Sequence, residues 1–225
     1  VDEALQDTVR RLAEALKPGD FDTTLGAITA AAVEVLPDVE FASITVKHDD
    51  DRIDTVAPTG DLVLDLDAKQ YELKEGPCYD AAVTTAHVIA PDIASDERFP
   101  NYGPYVVSKG IHAQAGLRLF DAPASQGALN LYSSQTGAFE DFNTLANLFT
   151  HQAAVAIGYA REIADLNDAI RTRTTIGQAV GIIMERYELS DERAFAFLTR
   201  LSQARNVKLR LIAAEIVADV EKRRS

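Results

Sequence analysis

Between Phe139 and Ile170 the chain holds no proline and one glycine, Gly158. Apolar residues recur there at Leu145, Leu148, Val155, Tyr159, Ile163, Leu166 and Ile170, with Gln152 in the same series. Steps of three and four return a side chain to one helix face, and in heptad register they build a seam for a second helix. A strand, whose period is two, cannot use this pattern. The spacing therefore predicts a connecting coiled-coil helix over 141–173. Its first half can cover a sheet, and its second half, after Gly158, is expected to pair with a second copy of the chain.

What precedes the helix has a different texture. Residues 1–19 read as a short helix with Leu5, Val9, Leu12 and Leu16 on one face, stopped by Lys17-Pro18-Gly19. A second helix, capped by Asp22 or Thr23, runs to Leu36 on a face of Leu25, Ile28 and Ala32. Residues 41–48 alternate as a strand, Asp49 to Arg52 turn, and residues 53–58 return as the second arm of a hairpin. Asp61 to Tyr71 reads as helical, and Pro77 opens another short helix behind Gly76. Residues 87–93 are extended, and a short helix closes at Gly110. Strands over 112–120 and 127–134 flank a loop, Asp121 to Gln126. Hairpins interrupted by helices suit an antiparallel α+β sheet better than a parallel βαβ array.

Residues 171–225 read as three helices. The first continues the long helix through Tyr187, with Ile176, Ala179, Ile183 and Tyr187 inward. Ser190 caps the second, with Asp191 and Glu192 at its positive end and Ala194, Phe197, Leu198 and Leu201 inward. The third starts near Lys208 and buries Ile212, Ala213, Ile216, Val217 and Val220. This end is basic. It carries 11 Lys+Arg against 7 Asp+Glu, a net of +4, while the first 170 residues carry 11 against 28, a net of −17. Such asymmetry points to a segment that meets a polyanion.

Composition excludes several classes. One cysteine, Cys78, rules out a disulfide within the chain, and a cytoplasmic setting is the simplest. No apolar run approaches the roughly 18 residues that span a bilayer, and the charged, amphipathic N-terminal stretch does not read as an export signal. His48, His87, His112 and His151 are scattered without metal-ligand spacing, and Asp49-Asp50-Asp51 is too compact for a calcium loop. There is no phosphate-binding glycine loop, nucleophile elbow or HExxH pair. No catalysis, metal or cofactor is expected. Cys78 follows Gly-Pro at a helix start, where a thiolate is favoured, but it reads more simply as a small buried residue.

Two resemblances follow from particular residues. The segment 174–217 carries Ile176-Gly177-Gln178-Ala179 with Gly181, then Met184-Glu185-Arg186. Ala194-Phe195, Leu198, Leu201, Asn206, Lys208-Leu209-Arg210 and Ile212-Ala213 complete the spacing across three helices. It resembles the ANTAR domain, a three-helix RNA-binding module of bacterial antitermination regulators. Many members carry Lys just before the glycine of the first motif, where this chain has Val180. That removes one candidate phosphate contact and gives Lys208 and Arg210 more weight. Residues 20–160 resemble a GAF domain, a signal-sensing module, through Glu75-Gly76-Pro77-Cys78, Pro91-Asp92-Ile93, Arg98-Phe99-Pro100, Gly127 to Tyr132 and Ala138-Phe139. The pattern of cyclic-nucleotide-binding members is absent.

Together these imply an actinobacterial-type antitermination regulator. Its expected architecture is a GAF-like antiparallel sheet flanked by helices (20–160), a helical stalk (141–173) and a three-helix ANTAR bundle (171–225). Its expected partners are a structured leader RNA, a second copy of itself, and an unknown small-molecule or protein signal at the GAF domain. Candidate RNA contacts are Arg171, Arg173, Gln178, Arg186, Arg200, Arg205, Asn206, Lys208 and Arg210. Ala179, Gly181 and Ala194 are expected to let helices approach, and Met184 and Phe197 to fill the core. Tyr71, Cys78, Tyr79, Tyr102 and Tyr132 are candidates to line a ligand pocket. A DNA-binding regulator is the alternative, since the turn Glu188 to Glu192 superficially resembles a helix-turn-helix. A redox enzyme of the free methionine sulfoxide reductase kind needs several cysteines, which this chain lacks.

Overall fold

The computed structural model describes residues 10, 20–83, 87–122, 125–140 and 143–224. It divides the chain into two compact units, Val1–Arg161 and Glu162–Ser225. The helix expected over 1–19 lies, apart from Arg10, outside the described residues.

In the first unit α1 (Phe21–Val35) starts on Asp20, whose carboxylate accepts from the Thr23 amide at 3.0 Å. The cap is thus Asp20 and not Asp22 or Thr23, because its side chain reaches the amide three residues on. Strands β1 (Phe41–His48) and β2 (Ile53–Val56) form the expected hairpin. Helices α2 (Asp61–Leu73) and α3 (Pro77–Val83) follow, then β3 (Val88–Ala90) and α4 (Tyr102–Ser108). Strands β4 (Ala113–Ala122) and β5 (Ser125–Ser133) close a five-stranded sheet of order β2-β1-β5-β4-β3, antiparallel at each pairing.

The loop expected from Asp121 to Gln126 is largely strand. Asp121 pairs with Gln126 and Ala122 with Ser125, after a register shift between Arg118 and Phe120. Polar composition suggested a loop there, but a strand end can be polar as long as its backbone groups pair in the ladder.

Period-two alternation gives the sheet two unlike faces. Ala42, Ile44, Leu117, Leu129 and Leu131 pack with Leu25, Ile28 and Ala32 of α1. They also pack with Phe149, Ala153 and Ile157 of α5 (Asn143–Tyr187). The opposite face carries Ser43, Thr45, Gln114, Asn130 and Tyr132, all buried. On that side Val63, Leu66, Cys78, Ile93, Phe99, Tyr102 and Val106 form a second core cluster with Tyr132. Gly116 on β4 marks how closely the chain packs there, because a Cβ at that position would sit 2.3 Å from the Pro77 carbonyl oxygen.

Helix α5 is 45 residues long. Its part in the first unit covers the sheet with Phe149, Ala153, Ala156 and Ile157, none of which belongs to the heptad series. Val155 and Tyr159 lie outside at 41% and 55% exposure. In the second unit the same series continues exposed at Ile163, Leu166 and Ile170.

The second unit joins the rest of α5 to α6 (Asp191–Arg205) and α7 (Leu209–Arg224). Ala179, Val180, Ile183, Ala194, Leu198, Ile212 and Ala213 form its core, with Ile176, Met184, Leu201, Ile216 and Val217 against it. Ser190 is the N-cap of α6 by position, though its side chain makes no capping hydrogen bond. Two expected core residues are outside: Tyr187 is 53% exposed and Phe197 38%. Tyr187 is the last residue of α5, just before Glu188 turns the chain at φ 52°. Phe197 sits on the flank of the stripe Ala194, Leu198 and Leu201, beyond the edge of a core built on alanines. Val180 is buried, so this position packs the bundle and holds no surface contact.

Candidate nucleic-acid interface and ligand pocket

The three-helix unit separates its cations into occupied and unoccupied ones. Arg205 at the end of α6 grips Glu215 of α7 with both guanidinium nitrogens, at 2.6 and 3.3 Å. Arg171 pairs with Asp168 one turn back at 2.7 Å. Arg200 donates only from Nε, to the Ala196 carbonyl at 3.4 Å, and no ion pair among the described residues engages its terminal nitrogens. Asn206 is exposed but holds the left-handed C-cap of α6 at φ 51°, a conformation asparagine tolerates well. These four candidates thus have structural work within the fold. Arg205 is the most committed, because releasing Glu215 would leave that carboxylate beside any incoming phosphate.

Arg173, Gln178, Arg186, Lys208 and Arg210 are exposed. Among the described residues no ion pair engages Arg173, Arg186, Lys208 or Arg210. Lys208 precedes α7 and its carbonyl accepts from the Leu211 amide at 2.9 Å, which fixes the backbone beneath its side chain. Arg193, passed over in the sequence, is likewise exposed and without an ion pair among the described residues. Its signal was available, since it lies one turn before Phe197 on α6.

In the first unit a cavity of about 480 Å³ opens among Lys47, Asp51, Ile53, Tyr71, Lys74, Tyr79 and Val83. Two of the five expected pocket residues, Tyr71 and Tyr79, line it. The Tyr71 hydroxyl lies 2.7 Å from Thr45 Oγ1 and 2.8 Å from Thr55 Oγ1, which anchors the ring. Lys47 is paired with Asp51 at 3.1 Å. Cys78, Tyr102 and Tyr132 are 0% exposed and line no part of this cavity. They fill the core between α2, α3, α4 and the sheet, so the expectation of a pocket there is corrected. Burial pushes the Cys78 thiol well above its ordinary range, and the thiol receives a hydrogen bond from Gln114 Nε2 at 3.1 Å. A thiol so placed is no nucleophile.

The residue the sequence did not disclose is Asp67. It is wholly buried on α2, and its carboxylate accepts from Ser43 Oγ at 2.7 Å, Thr55 Oγ1 at 3.0 Å and the Tyr132 hydroxyl. Burial pushes its carboxyl up to about 6, against the opposing pull of these donors and of Asn130. The steps Val63, Asp67, Gln70 place it on the inward face of α2, a signal legible in hindsight.

Among the described residues no group of three or more His, Cys, Asp and Glu is placed to hold a metal ion. No described helix is long and apolar enough to cross a membrane.

Comparison with known proteins agrees with this division. Residues 19–158 match the GAF domain, and residues 164–217 match the ANTAR domain. No curated protein matches the chain. Among solved structures it is similar to a free methionine-R-sulfoxide reductase from Neisseria meningitidis, bound to its substrate, at 13% identity and a TM-score of 0.54. That match covers 69% of this chain and 89% of the reductase. It is also similar to an N-acylhomoserine lactone dependent LuxR family transcription factor from Burkholderia cenocepacia, at 9% identity and a TM-score of 0.55, covering 72% and 99%. A bacteriophytochrome from R. palustris matches at 14% identity and a TM-score of 0.57, covering 81% of this chain and 42% of its own. Likeness at such identities is of fold alone.

Proposed function

Since the chain belongs to the GAF family and carries an ANTAR domain behind that fold, we propose that it is an RNA-binding transcription antitermination regulator. The observation that carries this reading is the set of exposed cations Arg173, Arg186, Lys208 and Arg210 within the ANTAR match, none of them in an ion pair among the described residues. A cation already held by a carboxylate must break that pair to meet a phosphate, whereas these pay no such cost. The RNA is a structured leader, bound so that the antiterminated form is favoured over a terminator hairpin. The GAF unit receives the signal, and the cavity beside Tyr71 and Tyr79 is where a small molecule would enter. No catalysis is required of it, and the protein works in the cytoplasm.

The exposed heptad residues Ile163, Leu166 and Ile170 support a homodimer formed through α5. Apolar side chains at heptad spacing on a helix are the seam of a coiled coil, and exposure of three in succession has no use in a lone chain. A signal at the GAF unit need only shift the population of paired or RNA-accessible forms by a few kcal/mol.

The test is an electrophoretic shift with leader RNAs of neighbouring transcripts against duplex DNA at equal salt. Binding to a leader hairpin in preference to duplex supports the reading. Preference for duplex DNA overturns it and favours a DNA-binding regulator with the same sensor.

A further inference from the structure

Tyr187 and Phe197 meet on the surface of the three-helix unit with ring centroids 5.6 Å apart and planes tilted by 37°. Both are exposed, at 53% and 38%. Burial is what a phenylalanine at helical spacing ordinarily seeks, and it accounts for neither ring. Two arginines share the face of Phe197. Arg193, Phe197 and Arg200 stand at i, i+4 and i+7 on α6, one line along one face. Both arginines are exposed, and Arg193 has no ion pair among the described residues. The acids of the first turn, Asp191 and Glu192, fall on other faces of the helix by the same spacing.

We propose that Tyr187 and Phe197 form a stacking platform for an unpaired nucleobase of the bound RNA, with Arg193 and Arg200 holding the phosphates on either side. The proposal rests on the RNA-binding reading above and adds a base-contacting subsite to it. Unpaired bases in loops expose a flat π-face that aromatic rings can cover, and arginines beside the rings meet the backbone of the same nucleotides. A duplex offers no such free face except at its ends. The platform therefore explains how the unit can distinguish a loop from a stem, which phosphate contacts alone cannot do. An apolar protein partner would equally cover two rings, but two arginines flanking them, on the segment 171–225 with its net charge of +4, complement a polyanion better.

The probe is a stem-loop RNA library with a constant stem and a randomised loop, alongside the same stem closed as a blunt duplex. The full-length protein is used. Wild type should prefer the stem-loop. Phe197→Leu, which keeps the apolar bulk and loses the ring, should weaken stem-loop binding roughly tenfold or more and leave duplex binding unchanged. Phe197→Tyr should restore it. The slope of log Kd against log salt should stay the same for Phe197→Leu and fall for Arg193→Ala with Arg200→Ala. Because the chain has no tryptophan, Phe197→Trp adds a single reporter whose emission a stacked base should quench. Were Phe197→Leu to fail to fold, that quenching decides the matter. A wild type that binds neither RNA overturns the RNA reading and the platform with it. Wild-type stem-loop binding that Phe197→Leu leaves intact, or a Phe197→Trp emission that saturating stem-loop does not change, overturns the platform alone.

Discussion

Tyr132 donates its hydroxyl to the Asp67 carboxylate in a core where neither side chain touches solvent. Tyr132 comes from the last strand of the sheet and Asp67 from α2, so the pair ties the helix to the sheet. Ser43 and Thr55 donate to the same carboxylate from β1 and β2. The arrangement satisfies the oxygens, yet burial still raises the carboxyl from 3.8 to about 6. A raised folded value means the native state binds the proton more tightly than the unfolded chain. The stability this group contributes is complete below the unfolded value and is lost as pH rises through the folded value near 6.

Asp67→Asn removes that titration. Between pH 4 and pH 8 the stability difference between variant and wild type should move in favour of asparagine by on the order of 2–3 kcal/mol. Urea unfolding followed by tyrosine fluorescence reads it, since six of the seven tyrosines lie in the first unit. A difference that stays constant across that range would show that the carboxyl titrates alike in both states.

Gly116→Ala should destabilise the first unit by about 2–3 kcal/mol. The added methyl would meet the Pro77 carbonyl oxygen at 2.3 Å and the Ala81 Cβ at 2.8 Å, and α3 has no room to retreat without giving up its packing on β4 and β5. A melting temperature lower by roughly 5–10 °C in calorimetry is expected. An unchanged melting temperature would mean that α3 moves freely over the sheet.

Much of this was legible beforehand, and what was not has physical causes. The helix over Asn143–Tyr187 was readable because a proline-free run with period between three and four admits one structure. Which of its faces meets the sheet was not readable. Phe149, Ile157 and alanines cover the sheet, while Val155 and Tyr159 of the heptad series stay out, and hydrophobicity alone does not separate the two sets. The exposure of Tyr187 and Phe197 was hidden for a related reason. Periodicity identifies an apolar stripe but not how wide a core the partners offer, and here Ala179, Ala194 and Ala213 make it narrow. The cavity at Tyr71 depends on Lys47, Lys74 and Tyr79 from three separate elements, a juxtaposition no local pattern carries. Asp67 was obscured because one acid among several on a short helix looks solvated.

Cys78 should be inert in the native protein. It is wholly buried, and burial raises its thiol far above neutral pH. A disulfide reagent at pH 8 should release no colour from the folded chain and one equivalent after urea is added. Fast reaction of the native protein would instead reveal an opening of α3 away from the sheet.

Leu166→Asp with Ile170→Asp should convert a dimer to a monomer. Both side chains are exposed in the single chain, at 60% and 56%, so the substitution leaves the packing of the fold intact. It places charges in the heptad seam, where desolvating them against a second helix is unfavourable. Light scattering at micromolar protein should give twice the chain mass for wild type and the chain mass for the variant. A wild type of single-chain mass would leave the seam without its partner.

Lys208→Ala with Arg210→Ala should weaken binding to leader RNA and flatten its salt dependence while helix content is kept. Both residues are exposed, and no described carboxylate engages either. Lys208 contributes its backbone carbonyl to the start of α7, and alanine retains that carbonyl. Each cation removed from a phosphate should lower the slope of log binding constant against log salt by about 0.7–0.9. The double variant should therefore lose roughly 1.5 from that slope. Arg205→Ala makes the informative contrast. Its guanidinium already holds Glu215, so its removal should cost stability of the α6–α7 junction before it alters the slope. Equal slopes for wild type and the Lys208/Arg210 variant would place both cations outside the interface.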